Sequence, residues 1–245
     1  MDKEFIKDLV ENKSSHIAMK KSSMKLTKGG LSMVVGNHTI ANKSANKQED
    51  VGVVRKTIVG NTYLYLDSQK DVLAKGVFAK SLRESGKNAF HLSDHDFKLT
   101  ARIGDPVKIY EQEIAWKLLG VDKDGTTEAL FMDSDIKKEY NERIYNDYKS
   151  GVIQQHSVGL RYQKLELAVN DESYEEEFKL WKSVIDQVAN KEEAEKDGYF
   201  FYVKEAQLIE ISAVLLGANP ITPTIETSKT EEETKEQAIK QWLSK

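Results

Sequence analysis

Three stretches constrain the fold most: "GTTEALFM", "VIQQHSVGLRYQKLEL" and "GYFFYVKEAQLIEISAVLL". They are rich in β-branched and aromatic residues and too irregular in period for helix, so each predicts a strand. "VGVVRKTIVG" adds another strand, and "NTYLYLD" alternates apolar with polar residues as a half-buried strand does. A chain carrying this much strand must bury sheet surface, and few helical patterns are present to help. The reading is a mixed core, α+β but mainly β, with strands closing around a few helices.

Three segments have helical spacing. In "GVFAKSLRESG", Val77, Phe78 and Leu82 share a face and Gly86 is a natural stop. In "DSDIKKEYNERIYNDYKSG", Ile136, Tyr140, Ile144 and Tyr148 fall four apart, with Asp133 and Ser134 as capping candidates and Gly151 as the end. One helix is predicted across that whole stretch. "SYEEEFKLWKSVIDQVANKEEAEKDG" places Phe178, Trp181, Ile185 and Val188 on one stripe behind a run of acidic residues, which the helix dipole favours at an N-terminus. A single long helix docked on the core is expected there.

The two ends read differently from the middle. Residues 13 to 49 are rich in Lys, Ser, Asn and Gly, the composition of a mobile, mildly basic arm. After "GANPITPTIE" the chain turns to "TSKTEEETKEQAIKQWLSK", a polar linker ending in one short helical piece. This divides the chain into a flexible arm over 1–49, a core domain over 50–222 and a polar tail over 223–245.

Composition narrows the chemistry. Against 40 acidic residues stand 36 basic ones, a net charge of −4, which leaves no excess cation to neutralise phosphates. Specific nucleic acid binding is therefore not expected. The chain has no cysteine, which excludes disulfides, thiol nucleophiles and thiolate metal sites. No run approaches the roughly 18 apolar residues of a membrane helix, and the first residues are charged throughout, so neither secretion nor a membrane span is expected.

Without cysteine, covalent catalysis would most simply use a serine activated by a histidine. The chain offers His16, His38, His91, His95 and His156. His156 is next to Ser157 in the strand-like "QQHSVGLRY", but neighbouring side chains on a strand point to opposite faces. His156 is therefore a poor base for Ser157. His16 and His38 lie in the arm, leaving His91 and His95 in "HLSDHDFKL". Their spacing also suits a shared helix face for metal, yet Leu92 stands where a catalytic glutamate would follow, and the segment does not read as helix. No metal or other cofactor is expected.

Four segments, "YLDSQKDVLAKGVFAKSL", "HLSDHDFKLTARIG", "QHSVGL" and "LIEISAVLLGANPITP", follow one another in an order that resembles the prohead maturation proteases of tailed bacteriophages, which are themselves similar in fold to the herpesvirus assembly proteases. Matching positions are Gly76 and Phe78, His95 and Asp96, Ile103 and Gly104, the Ser-x-Gly-hydrophobic run Ser157, Gly159 and Leu160, and the late strand with Glu210, Ile211, Ser212, Asn219 and Pro220. Arg102 stands where the family often has proline, seven residues separate His95 from Ile103, and 52 separate Ser157 from Glu210.

The resemblance implies a closed, antiparallel, barrel-like sheet surrounded by a few helices. It implies a serine endopeptidase with Ser157 as nucleophile, His95 as base and Glu210 as the group that orients the imidazole. Glu210 could otherwise be a strand-edge carboxylate paired with lysine. Asp94 and Asp96 rank behind it, and Ser212, sharing a face with Glu210, is the rival nucleophile. The implied substrates are the scaffold portion of the major capsid protein and the protease itself, cleaved within the assembling prohead in the bacterial cytoplasm. A homodimer is compatible with this. The alternative is a non-enzymatic internal scaffold protein that keeps the protease fold.

Overall fold

The computed structural model describes residues 3–26, 52–85 and 88–225. The architecture is mixed α and β, with six helices around one large, mainly antiparallel sheet of nine strands. Helices α1 (Lys3–Glu11) and α2 (Lys13–Ser22) lead into a two-residue strand β1 (Met24–Lys25). Then come β2 (Val53–Thr62), β3 (Asp71–Leu73), α3 (Ala79–Ser85), β4 (Phe90–Ser93), β5 (Arg102–Ala115) and β6 (Thr126–Lys137). The chain continues through α4 (Glu142–Lys149), β7 (His156–Val169), α5 (Glu175–Val184), α6 (Lys191–Asp197), β8 (Tyr199–Ala213) and β9 (Thr224–Ile225).

Strand order is β1-β7-β8-β4-β5-β6-β2-β9, with β3 added on β8. Hydrogen bonding does not close this path, so the sheet is open where a closed barrel was expected. It is nevertheless strongly curled: Gly60 of β2 comes so close to Ile211 of β8 that a Cβ would stand 2.6 Å from the isoleucine Cδ1. Nor is it uniformly antiparallel, since β3 and β4 both run parallel to β8.

Several predicted elements move. Residues 3–26 were read as part of a mobile arm, but α1 buries Ile6 and Leu9 in the main core and β1 pairs with Leu160 and Arg161 of β7. What composition concealed is a charged side chain with buried partners. Lys25 is almost wholly enclosed and its ammonium contacts Asp67 and, at 2.5 Å, Asp71. The rest of the expected arm, 27–51, and nearly all of the expected tail, 226–245, lie outside the described residues, as does Gly86.

The helix predicted from Asp133 onward begins only at Glu142. Residues 133–137 belong to β6, where Ile136 pairs with Val54 and Gly104, and the cap is Asn141, whose side chain accepts from the Ile144 amide at 3.0 Å. Four-residue spacing of apolar groups cannot separate a strand followed by a turn from one continuous helix. The long acidic helix is broken in two: α5 ends at Val184, and α6 starts after Asn190. Asn190 holds that break by bonding both backbone groups of Leu66, so a tertiary contact outweighs local continuity. "NTYLYLD" is strand only at its start, because Leu64 adopts a left-handed φ of 56° that ends the regular run. Strand β5 escaped prediction because Pro106 interrupts its pattern; the register shifts there, as a bulge does where proline has no N–H to offer.

Candidate active site

The three strands that matter are neighbours. In the register, Ser157 of β7 lies opposite Ser212 of β8, and Ser212 in turn lies beside Leu92 of β4. Residues two apart on a strand share a face, so Ser157, Gly159, Glu210 and Ser212 project from the same side of the sheet.

His95 reaches that face by an unusual turn. The Asp94 amide still bonds to the Ala213 carbonyl at 2.9 Å, continuing β4, but Asp94 and His95 then take left-handed φ values of 52° and 55°. Consecutive non-glycine residues in this region are costly and tend to persist where a site requires them. Here the turn folds His95 back over β8, where its amide donates to Ser212 Oγ at 3.1 Å. Its ring Nδ1 sits 2.6 Å from Glu210 Oε1.

Glu210 is fully buried, and its other oxygen accepts from Ser212 Oγ at 2.5 Å. It is therefore not a strand-edge carboxylate paired with lysine. A carboxylate can only accept from the ring, so Nδ1 carries a hydrogen, and Nε2 is the ring nitrogen left for other partners. That Nε2 is buried and has no hydrogen-bond partner among the described residues. Ser157 is on the same face, 6 % exposed, and no hydrogen bond joins it to Nε2. Ser212 is already engaged by Glu210 and the His95 amide, which makes it a support for both.

The Ser-x-Gly pattern has a physical reason in this arrangement. Gly159 lies opposite Glu210, and a Cβ there would overlap Glu210 Oε1 and stand 2.8 Å from its Cδ. Glycine two residues after Ser157 leaves the space in which the carboxylate reaches His95. Gly104 does the same on the other side of β4, where a Cβ would be 2.6 Å from Ser134 Oγ and 3.0 Å from His91 Nδ1.

Compared with protein-family models, curated proteins and solved structures, the chain matches none.

His156 points away from Ser157, as strand parity requires. Its Nδ1 is 3.0 Å from the Thr222 carbonyl and its Nε2 is 2.9 Å from the Tyr148 hydroxyl. That hydroxyl is also 3.1 Å from His91 Nε2, and His91 Nδ1 is 2.9 Å from Ser134 Oγ. Since a carbonyl can only accept, His156 donates to Thr222, and burial favours the neutral form of both rings. With both neutral, every proton in the row is assigned: Ser134 donates to His91, His91 to Tyr148, Tyr148 to His156, and His156 to Thr222. Burial pushes His91 down to about 3, with a further contribution from His156, and pushes His156 down to about 4 against the opposing bond to Thr222. Sequence reasoning missed Tyr148, Ser134 and Thr222 as partners, because the five residues of this row are scattered over the 132 positions from His91 to Thr222, and no local pattern links them.

Both nitrogens of His91 are occupied by Ser134 and Tyr148, while His95 turns to Glu210, so the two do not converge as paired metal ligands. Among the described residues no cluster of three or more metal-binding side chains occurs, and no helix is long and apolar enough to cross a membrane. Asp96 pairs with Lys98 at 3.0 Å.

Proposed function

We propose that this chain is a serine endopeptidase of phage or prophage capsid maturation, with Ser157 as nucleophile, His95 as general base and Glu210 as the orienting carboxylate. The observation that carries the reading is the buried 2.6 Å bond from His95 Nδ1 to Glu210, which leaves Nε2 unpartnered on the face that bears Ser157. The Ser157 hydroxyl attacks a peptide carbonyl and passes its proton to His95 Nε2. His95 then gives that proton to the departing amine as the C–N bond breaks, and water releases the acyl group by the same steps. Glu210 keeps the ring in the needed tautomer and stabilises the imidazolium formed in between.

Substrates in this reading are the scaffold portion of the major capsid protein and the chain itself, cut inside the prohead within the bacterial cytoplasm. The herpesvirus-protease-like architecture belongs to the same reading, with the curled sheet in the place of the barrel. No cofactor enters the chemistry. The near-complete burial of Ser157 favours a second reading, in which the fold serves as an internal scaffold without catalysis.

Incubating the purified chain and following intact mass separates the two. The parent is expected to trim itself and to gain one fluorophosphonate adduct, mapped to Ser157; Ser157→Ala is expected to do neither. Equal trimming of both proteins would remove Ser157 as the nucleophile, and a parent that neither trims nor labels would leave the scaffold reading.

A further inference from the structure

The loops that surround the catalytic face carry a concentration of exposed apolar side chains. Leu99 is 99 % exposed, Leu215 90 % and Val152 68 %, and Phe97 and Leu216 are also open to solvent. Phe97 and Leu99 follow His95 by two and four residues, Leu215 and Leu216 follow Ser212 by three and four, and Val152 precedes Ser157 by five.

Topology brings these loops together. Strand β7 begins where β8 and β4 end, so all three loops leave the same end of three adjacent strands. Their roots are bonded to one another: the Val214 amide to the Gln155 carbonyl at 3.1 Å, and the Asp94 amide to the Ala213 carbonyl at 2.9 Å. Gly217 packs so tightly on His156 that a Cβ would be 2.7 Å from its carbonyl oxygen. The loop bearing Leu215 and Leu216 therefore stands between the other two. The charged residues beside Phe97, Asp96 and Lys98, pair with each other and add no net charge.

Grouped apolar side chains left in water mark a surface that is covered in use. We infer that this rim selects polypeptide substrates with bulky apolar side chains, such as Leu, Phe or Met, within a few residues of the scissile bond. The inference rests on the peptidase reading, which supplies the occupant: a chain crossing His95 and Ser157 must pass over the rim on its way in and out. Apolar contact of this kind discriminates through binding of the flanking residues.

The test uses the full chain and a peptide library of balanced composition, with cleavage products sequenced. Enrichment of bulky apolar residues on either side of the cut is expected. Leu215→Asn and Phe97→Asn, at positions 90 % and 50 % exposed, should each lower kcat/KM for an apolar-flanked peptide roughly tenfold, mainly through KM. The same variants should change kcat/KM for a polar-flanked peptide little. Cleavage without apolar preference, or variants that treat both peptides as the parent does, would overturn the inference while Ser157 labelling by a fluorophosphonate leaves the peptidase reading standing. A parent that does not label and does not cleave would overturn both.

Discussion

Gly159→Ala tests the site through a single methyl group. The new Cβ would overlap Glu210 Oε1 and lie 2.8 Å from Cδ, where ordinary contact begins near 3.4 Å. The carboxylate must therefore retreat by at least about 0.6 Å at Cδ and further at the oxygen. It has no easy way to do so, being fully buried and held by His95 at 2.6 Å and by Ser212 at 2.5 Å. A retreat of about 1 Å stretches the His95 bond beyond hydrogen-bonding range. Overpacking costs about 1–3 kcal/mol and the lost charged hydrogen bond about 1.5–3 kcal/mol, so stability should fall by about 2.5–6 kcal/mol. For a protein of this size that lowers Tm by roughly 5–24 °C. The rate should suffer more: an imidazole without its orienting carboxylate loses on the order of 10²–10⁴ in kcat. The assay is thermal unfolding beside the rate of fluorophosphonate labelling at Ser157, with Glu210→Gln as the comparison that preserves shape and removes charge. If Gly159→Ala remains folded and labels at the parent's rate, Glu210 does not control His95 and the account of the Ser-x-Gly pattern is wrong.

Other outcomes follow from the same contacts. His95→Gln should abolish self-trimming and also destabilise by about 1.5–3 kcal/mol through its lost bond to buried Glu210, whereas His156→Gln should destabilise by about 1–3 kcal/mol through its lost bonds to Tyr148 and Thr222 and leave self-trimming in place; trimming lost in His156→Gln and kept in His95→Gln would refute the assignment of faces. Because folded His91 and His156 stay neutral down to about 3 and about 4 while the unfolded chain takes up protons from 6.5, the folded state loses stability as pH falls through that interval. At up to about 1.4 kcal/mol per pH unit for each group, the loss between pH 6.5 and 5 reaches at most about 4 kcal/mol, and urea unfolding at several pH values should show it abolished in a His91→Asn, His156→Asn double variant. Lys25→Met leaves Asp67 buried without its ammonium and Asp71 with that of Lys20, and should cost about 3–5 kcal/mol; proteolysis should then release residues 3–26 from the core before the sheet opens.

How much was legible follows from what each kind of information can carry. Strands β6, β7 and β8 could be read directly, since β-branched and aromatic composition is a local property that survives in any sheet. Period-2 geometry also settled the opposite orientations of His156 and Ser157, because it belongs to the backbone of any strand. Residues 3–26 were misread for a reason that is physical: a lysine-rich segment normally stays in water, and it is Asp67 and Asp71, more than 40 positions away, that make it favourable for Lys25 to be buried. The same holds for the break before α6, where Asn190 binds the backbone of Leu66, and for the proline-bearing β5, whose strand is maintained by β4 and β6 on either side.

For the site, sequence alone determined which residue types could do the chemistry: no cysteine, five histidines, and a serine on a strand. Tertiary structure decided which of them meet. Parallel pairing of β4 with β8 brings Phe90 beside Glu210, and two left-handed residues then carry His95 back along β8 to the carboxylate 115 positions away. Neither the parallel pairing nor the turn leaves a periodic trace in the sequence, because both are paid for by contacts with distant strands. The open order of the sheet was likewise a matter of which edges pair, a choice made by long-range hydrogen bonds that composition and periodicity do not record.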